Sequence, residues 1–137
     1  MKNIFIDSNV FMYAHGASHK YKEPSLKIMR LVALDAFCGL TSSEVLQEIL
    51  YRYSAINKKS LGRQIVFNTL SVIHEVLPVD KNDILTAIHL MDKYHWLPVR
   101  DAIHVSCAIG NNIRYILSAD RHFDRVKEIN RIDPLEY

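Results

Sequence analysis

The chain has 137 residues, which fits one domain over residues 1–137, and its 49% hydrophobic and 23% charged residues exclude a disordered or fibrous protein. No apolar run approaches the roughly 18 residues that span a bilayer, and an acid at Asp7 interrupts any signal-peptide core. With 17 Lys and Arg against 15 Asp and Glu, the formal net charge is +2, which taken alone speaks against a strongly basic nucleic-acid binder.

The first third of the chain predicts one strand and two helices. Residues 3–6 form a short apolar run that ends at an acid, as a buried strand does. Asp7, Ser8 and Asn9 then supply helix-capping side chains, and residues 10–14 begin the first helix. Pro24 suits the first position of a second helix, which Gly39 can end.

A third helix is predicted after a brief strand at Leu40 and Thr41. Residues 41–44 match a capping box, with a hydroxyl at the cap and the carboxylate of Glu44 three positions later. Apolar side chains between positions 45 and 53 then occupy one face of this helix. A fourth helix is expected over about residues 61–73.

The second half of the chain continues the alternation of strands and helices. Pro78 lies within an apolar run and indicates an edge strand. Asp80 caps one helix, and Asp101 opens another. Short strands are expected at residues 115–117 and 129–132. Strands that alternate with helices predict an α/β fold with a short, mostly parallel central sheet flanked by helices.

Two acids follow predicted strands directly. Asp7 ends the first strand, and Asp120 lies just beyond the strand at residues 115–117. Ligands of parallel α/β sheets bind at the carboxyl ends of the strands, and Asp101 at the start of its helix can reach the same edge. Three converging acids would repel one another unless a cation neutralised them. Oxygen ligands alone select Mg²⁺ or Mn²⁺, and such an ion would activate water for attack on a phosphodiester.

Each of these acids also has an ordinary structural explanation. Asp7 and Asp101 could simply cap helices, and Asp120 could belong to a turn. Glu44 and Glu48 compete for a fourth place at the site. Glu44 is explained by the capping box, whereas Glu48 has no capping duty, so Glu48 is the better candidate.

Other residue types give weaker signals. The seven histidines form no His-Glu-x-x-His element and have no cysteine at zinc spacing. His104 follows Asp101 by three positions, and we expect a packed or surface role for it. Cys38 and Cys107 are too few for a disulfide framework, so we expect reduced thiols and a cytoplasmic protein. The chain lacks both a Gly-x-Ser-x-Gly elbow and a Gly-rich phosphate loop.

Four acidic segments occur in order along nearly the whole chain. They are residues 4–11 (IFIDSNVF), 41–48 (TSSEVLQE), 100–104 (RDAIH) and 117–124 (LSADRHFD). Together they resemble the motifs of PIN-domain ribonucleases, of the kind found as VapC-type toxins in prokaryotic toxin–antitoxin pairs.

The resemblance implies a PIN-like three-layer fold and metal-dependent endoribonuclease activity on RNA. The acids that it makes catalytic and metal-binding are Asp7, Glu48, Asp101 and Asp120. Asp124 would be a further metal ligand near a second ion, and Ser8 and Asn9 would support Asp7. The resemblance also implies Mg²⁺ or Mn²⁺ as the cofactor, a homodimer, and a small antitoxin protein as a partner, with no membrane involved.

Three other functions remain open. PIN domains also serve in RNA processing without a toxin role. A phosphatase with an aspartate nucleophile at Asp7 would need a second acid at position 9, where Asn9 stands. A non-catalytic RNA- or partner-binding module would not need the four motif acids, yet all four are present.

Two groups of basic residues could contact RNA phosphates. One comprises Lys58, Lys59 and Arg63, and the other begins with Arg121 and Arg125. Either group could simply be a solvated face of the protein. Because the second group directly follows a motif acid, Arg121 and Arg125 are the predicted RNA-binding residues. If a metal ion binds four of the 15 acids, the rest of the chain has 17 basic groups and 15 − 4 = 11 acidic groups. The near-neutral total is therefore compatible with nucleic-acid binding.

Overall fold

Strands and helices alternate along the chain, and the computed structural model describes all of residues 1–137. The strands are β1 (Asn3–Ile6), β2 (Cys38–Ser42), β3 (Glu75–Leu77), β4 (Tyr115–Leu117) and β5 (Asn130–Ile132). The helices are α1 (Ser8–His15), α2 (Lys22–Ala33), α3 (Ser43–Ala55), α4 (Lys59–Val72), α5 (Lys81–Lys93) and α6 (Val99–Gly110). Two short 3₁₀ helices, Arg121–Arg125 and Pro134–Glu136, follow β4 and β5.

The five strands form one sheet in the order β3-β2-β1-β4-β5, and every neighbouring pair is parallel. This confirms the predicted α/β fold with a short central sheet, which is entirely rather than mostly parallel. Each connection is long enough to return the chain to the same end of the sheet. Because β2 and β4 lie on opposite sides of β1, the strand order changes direction at β1. Open α/β sheets bind their ligands at such a point, outside the carboxyl ends of the strands.

The two central strands supply much of the core. Three residues of β1 and two of β4 are at most 1% exposed: Ile4, Phe5, Ile6, Ile116 and Leu117. They belong to a cluster of 27 buried hydrophobic residues. Short runs that are apolar on both faces are typical of parallel strands covered by helices.

None of the helices has the length and apolar character needed to cross a membrane.

Gly39 lies within β2, so the prediction that it ends α2 is wrong. A Cβ atom at this position would lie 2.8 and 2.9 Å from the methyl groups of Val32, and only glycine lets α2 approach the strand so closely. The helix instead ends at Ala33, and Asp35 takes the left-handed conformation with φ of 57° in the turn that follows. An aspartate adopts that conformation more readily than most residues do.

The start of α3 lies one residue later than the capping box predicts. Ser42 caps this helix by accepting a 3.2 Å hydrogen bond from the backbone N–H of Val45. Thr41 remains in β2, where its hydroxyl donates to the backbone carbonyl of Ile6 at 2.9 Å. The predicted box between Thr41 and Glu44 is therefore wrong.

Helices α2 and α6 begin two residues before the positions predicted for them. Pro24 and Asp101 each occupy the third helical position, not the first. Both are tolerated there because the first N–H groups of a helix have no partner within the helix. The predicted edge strand before Pro78 is confirmed as β3, and Asp80 caps α5 as predicted, in a capping box with Asp83.

Candidate active site

A polar cavity opens at the carboxyl ends of β1 and β4. Its volume is about 570 Å³, and only two of its twelve lining residues are hydrophobic. Four of the lining residues are acids from four separate parts of the chain: Asp7, Glu48, Asp101 and Asp120. The structure thus brings the four motif acids together, in a cavity whose polar walls suit an ionic ligand.

Asp7 directly follows β1 and caps α1, so its capping role and its place in the cavity coexist. Its Oδ1 accepts a 2.8 Å hydrogen bond from the backbone N–H of Ser8, and its Oδ2 accepts one of 3.0 Å from Nδ2 of Asn9. Burial raises the pKa of Asp7, and the facing imidazole of His104 offsets only part of that rise. Ser8 and Asn9 therefore fix the orientation of a carboxylate that burial makes harder to ionise.

Ser118 joins Asp7 to the end of β4. Its hydroxyl donates to Oδ2 of Asp7 at 2.7 Å, and it accepts from Nδ2 of Asn9 and the backbone N–H of Asp120, both at 3.0 Å. Oδ1 of Asn9 also accepts from the backbone N–H of Ala119 at 3.1 Å. These bonds fix the two strand-end acids relative to each other. The sequence prediction assigned no role to Ser118, although its place one residue beyond a predicted strand pointed to the same sheet edge.

Glu48 projects from α3 into the cavity. Its Oε1 lies 3.1 Å from Nε2 of His104, and its Oε2 accepts a 2.8 Å hydrogen bond from Nε of Arg52. Burial acts to raise the pKa of Glu48, but the hydrogen bond and charge of His104 outweigh it and lower the pKa to about 2. Glu48 is therefore ionised at neutral pH. Glu44 does not line the cavity and instead pairs with Arg100 at 3.0 Å.

His104 lies on α6, one turn after Asp101, and is fully buried. Its Nε2 faces Oε1 of Glu48 at 3.1 Å and Oδ1 of Asp7 at 3.7 Å. Burial acts to lower the pKa of His104, but the bond to Glu48 and the charge of Asp7 raise it overall. The prediction of a packed or surface role for His104 is therefore incomplete, because its ring also contacts two carboxylates of the site. The signal in the sequence is its spacing from Asp101, since residues three apart share one face of a helix.

Asp101 and Asp120 complete the group of acids. Asp120 caps the 3₁₀ helix that follows β4 and accepts a 2.9 Å hydrogen bond from the backbone N–H of His122. Burial and the negative charge of Asp7 raise the pKa of Asp101 to about 7. Ionisation of Asp7 and Asp101 is therefore disfavoured, and a bound cation would remove the conflict.

Two sets of side chains bring possible ligand atoms close enough to share an ion. Within each set, one oxygen or nitrogen per residue lies within 4.8 Å of the others: Asp7, Glu48 and His104 in one, and Asp101, Asp120 and His122 in the other. Carboxylate oxygens form the majority in both sets, as hard divalent cations require. The donor chemistry of this cavity therefore fits such a cation.

Asp124 lies apart from the other four acids and does not line the cavity. Both of its oxygens accept hydrogen bonds from the guanidinium of Arg131, at 2.8 and 3.1 Å. The role predicted for Asp124 beside a second ion would require this bidentate pair to break.

Arg121 and Arg125 also lie outside the cavity lining, and the guanidinium carbon of Arg125 lies 4.2 Å from the ring centre of Trp96.

Comparisons of the sequence and of the fold with known proteins point to the same family. A family model for the PIN domain matches residues 4–129. A VapC ribonuclease of Mycobacterium bovis and ribonuclease VapC13 of Mycobacterium tuberculosis are each 33% identical over 129 residues, which cover 94% of this chain and 98% of theirs. The fold is similar to that in a crystal structure of VapBC2 from Rickettsia felis bound to a promoter DNA fragment, with a TM-score of 0.75, 19% identity, and coverage of 95% of this chain and 97% of that one. The chain therefore belongs to the PIN-domain family, among the VapC ribonucleases.

Proposed function

We propose that this chain is a metal-dependent endoribonuclease that cleaves RNA phosphodiesters and acts as the toxin of a toxin–antitoxin pair. The observation that carries the proposal is the convergence of four acids on one polar cavity, in a chain whose relatives are ribonucleases. The proposed nuclease domain spans residues 1–137. The free cysteines Cys38 and Cys107 suit a reducing compartment such as the cytoplasm.

The four acids would hold Mg²⁺ or Mn²⁺, because oxygen ligands dominate the cavity and select hard divalent ions. When bound, such an ion stabilises the charge that develops on a phosphate and lowers the pKa of its water. The proposed ligands are Asp7, Glu48, Asp101 and Asp120. Asp124 is left outside this set, since Arg131 holds both of its oxygens.

The chain's own residues prepare the cavity for RNA. Ser8 and Asn9 hold the carboxylate of Asp7 in place. Asp101, whose pKa is about 7, releases its proton as positive charge enters the cavity. Arg52 and Arg100 line the same cavity, each pairs with a glutamate, and their remaining N–H groups offer hydrogen-bond donors to a phosphate.

Cleavage of RNA by the Asp7→Asn variant tests the proposal. Asparagine caps a helix as well as aspartate does, so α1 should stay intact while the negative charge is lost. With Mg²⁺ or Mn²⁺ present, we expect the cleavage rate to fall by about 100-fold or more, because a ligand to the ion is lost. Asp92→Asn is the matched control, because Asp92 is exposed on α5 and outside the cavity. A wild-type rate in Asp7→Asn would contradict the site assignment.

Contacts to the RNA backbone are proposed for Arg121 and Arg125. Both lie in the 3₁₀ helix that Asp120 caps, so they follow a proposed metal ligand directly. Two guanidinium groups at this position supply charge for phosphates that extend beyond the cavity.

A homodimer and a small antitoxin protein are the proposed partners. Helices α3, α4 and α5 expose large apolar side chains that protein partners would cover: Tyr51, Phe67, Leu70, Ile84, Leu85 and Ile88. Sedimentation of the purified chain tests the dimer. A short upstream reading frame with a DNA-binding pattern would support the toxin role, and its absence would favour a role in RNA processing.

A further inference from the structure

We propose that His104 is a positioning residue, which holds Glu48 in its metal-binding orientation by donating a hydrogen bond from Nε2, and that it is not a metal ligand. The inference rests on the proposed function, because it concerns the same cavity. Four observations carry it: the burial of the ring, the contacts of each ring nitrogen, the restraints on Glu48, and the separate support of Asp7.

The direction of the hydrogen bond follows from what His104 faces. The ring is fully buried, and Nε2 points to carboxylate oxygens of Glu48 at 3.1 Å and Asp7 at 3.7 Å. An ionised carboxylate can only accept. Nε2 must therefore carry the hydrogen that makes this contact favourable.

The other ring nitrogen argues against metal binding by His104. A histidine that ligates through Nε2 carries its hydrogen on Nδ1, and that N–H almost always donates to a carboxylate, carbonyl or water. Nδ1 of His104 is buried and has no hydrogen-bond partner. Ligation would leave a buried N–H unpaired, which is unfavourable, whereas a ring that a nearby positive ion keeps neutral and that donates from Nε2 leaves only a bare lone pair on Nδ1.

Glu48 depends on His104 more than on its other two partners, Ser8 and Arg52, each of which lowers the pKa of Glu48 less than His104 does. Arg52 holds Oε2 of Glu48 at 2.8 Å, but 58% of the Arg52 side chain is exposed. Exposed ion pairs one helical turn apart restrain their partners weakly. His104, by contrast, approaches from the protein interior on a different helix, so it fixes the direction in which the Glu48 carboxylate points.

Loss of His104 should affect Asp7 less than Glu48, because other groups also donate hydrogen bonds to Asp7. Ser8, Asn9 and Ser118 already bind its two oxygens at 2.7 to 3.0 Å. The contact from His104 to Asp7 is longer than any of these. Loss of His104 should therefore free one proposed ligand, Glu48, and leave the other oriented.

Mn²⁺ binding to three proteins tests the inference: wild type, His104→Leu and His104→Gln. The amide nitrogen of glutamine can reach the place of Nε2 and donate as histidine does, while leucine fills the space without donating. We expect His104→Leu to weaken Mn²⁺ binding by about 10- to 100-fold and His104→Gln to recover most of that loss. Denaturant unfolding in EDTA checks that each variant is folded.

Pulsed electron paramagnetic resonance of Mn²⁺ bound to the wild type provides a readout that needs no variant. We expect no hyperfine coupling from a directly coordinated imidazole nitrogen. Detection of that coupling would overturn the inference, as would wild-type Mn²⁺ affinity in a folded His104→Leu variant. Failure of His104→Gln to recover affinity would also count against a hydrogen-bonding role.

The same experiment separates the inference from the proposed function. If the wild type binds Mn²⁺ and cleaves RNA while His104→Leu does both equally well, only the role of His104 fails. If the wild type binds no Mn²⁺, the proposed function fails and the role of His104 fails with it.

Discussion

The hydroxyl of Ser118 donates a 2.7 Å hydrogen bond to Oδ2 of Asp7 and so joins the ends of β4 and β1 across 111 positions of the sequence. The same hydroxyl oxygen accepts from Asn9 and from the backbone of Asp120. One buried atom therefore orients the acids that follow two neighbouring strands.

Removal of this hydroxyl should affect both stability and metal binding. Ser118→Ala removes three hydrogen bonds and leaves the backbone N–H of Asp120 without a partner, so we expect the free energy of unfolding to fall by about 1–3 kcal/mol. Mn²⁺ affinity should fall by about tenfold, because a ligand loses an orienting contact. Urea unfolding in EDTA and Mn²⁺ titration measure the two effects.

Ser25→Ala is the matched control for this substitution. Ser25 is fully buried, like Ser118, but its hydroxyl has no hydrogen-bond partner. We expect Ser25→Ala to leave stability within about 0.5 kcal/mol of wild type or to raise it slightly, since no bond is lost. Equal losses in the two variants would show that the Ser118 network contributes nothing specific.

Asp101 should make the metal-free protein less stable as the pH rises. Its pKa is about 7 in the folded protein against an ordinary value of 3.8, so the folded state keeps a proton that the unfolded chain releases. This stabilising contribution is complete below about pH 4 and is lost as the pH rises to about 7. In EDTA we expect wild type to lose on the order of 1–3 kcal/mol relative to Asp101→Asn over that range, an amount that allows for partial exposure of the side chain.

The Asp101→Asn variant also gives a test with metal present. Saturating Mn²⁺ stabilises whichever folded protein binds it. We therefore expect wild type to gain more stability from Mn²⁺ than Asp101→Asn does at pH 7.5. Parallel stability curves for the two proteins in EDTA between about pH 4 and pH 7 would contradict the raised pKa.

Asp124→Asn should reduce stability without changing metal binding. Arg131 is nearly buried and bonds to Asp124 through two nitrogens, so loss of the charge should lower the free energy of unfolding by about 0.5–1.5 kcal/mol. Mn²⁺ affinity should stay within about twofold of wild type, because the Asp124 oxygens face Arg131. A tenfold loss of Mn²⁺ affinity would instead make Asp124 a ligand, as the family resemblance implies.

Neutralising Arg121 and Arg125 together should weaken RNA binding and flatten its dependence on salt. For single-stranded RNA, the loss of two phosphate contacts reduces the slope of log affinity against log salt by about 1.4. The double variant Lys58→Gln, Lys59→Gln removes the same charge from the start of α4, away from the cavity, and should keep the wild-type slope. Equal slopes for both double variants would count against a specific role for the two arginines.

The fold and the main acids could be predicted because their signals are local. The run from Ile4 to Ile6 is apolar on both faces, and it ends at Asp7, so both the strand and its carboxyl end are visible in the sequence. Parallel strands then require that Asp7 and Asp120 meet at one edge. Glu48 was preferred to Glu44 because the predicted capping box accounted for Glu44. The structure places Glu48 in the cavity, although that box does not form and Glu44 pairs with Arg100 instead.

The remaining features depend on contacts that no local pattern specifies. Three consecutive hydroxyl residues stand where α3 begins, and the hydrogen bond from Thr41 to β1 decides that Ser42 becomes the cap. The role of His104 appears only when α6 brings it against Glu48 of α3, 56 positions away. Ser118 likewise gains its partners from the pairing of two strands.

Titration of metal-free protein with Mn²⁺, followed by both metal binding and RNA cleavage, tests the central claim most directly. We expect no cleavage in EDTA, and cleavage that appears with the same midpoint as Mn²⁺ binding to the four-acid cavity. Asp120→Asn should weaken binding and cleavage together. RNA cleavage at the full rate in EDTA, or at the wild-type rate in Asp120→Asn, would contradict a metal-dependent nuclease at this site.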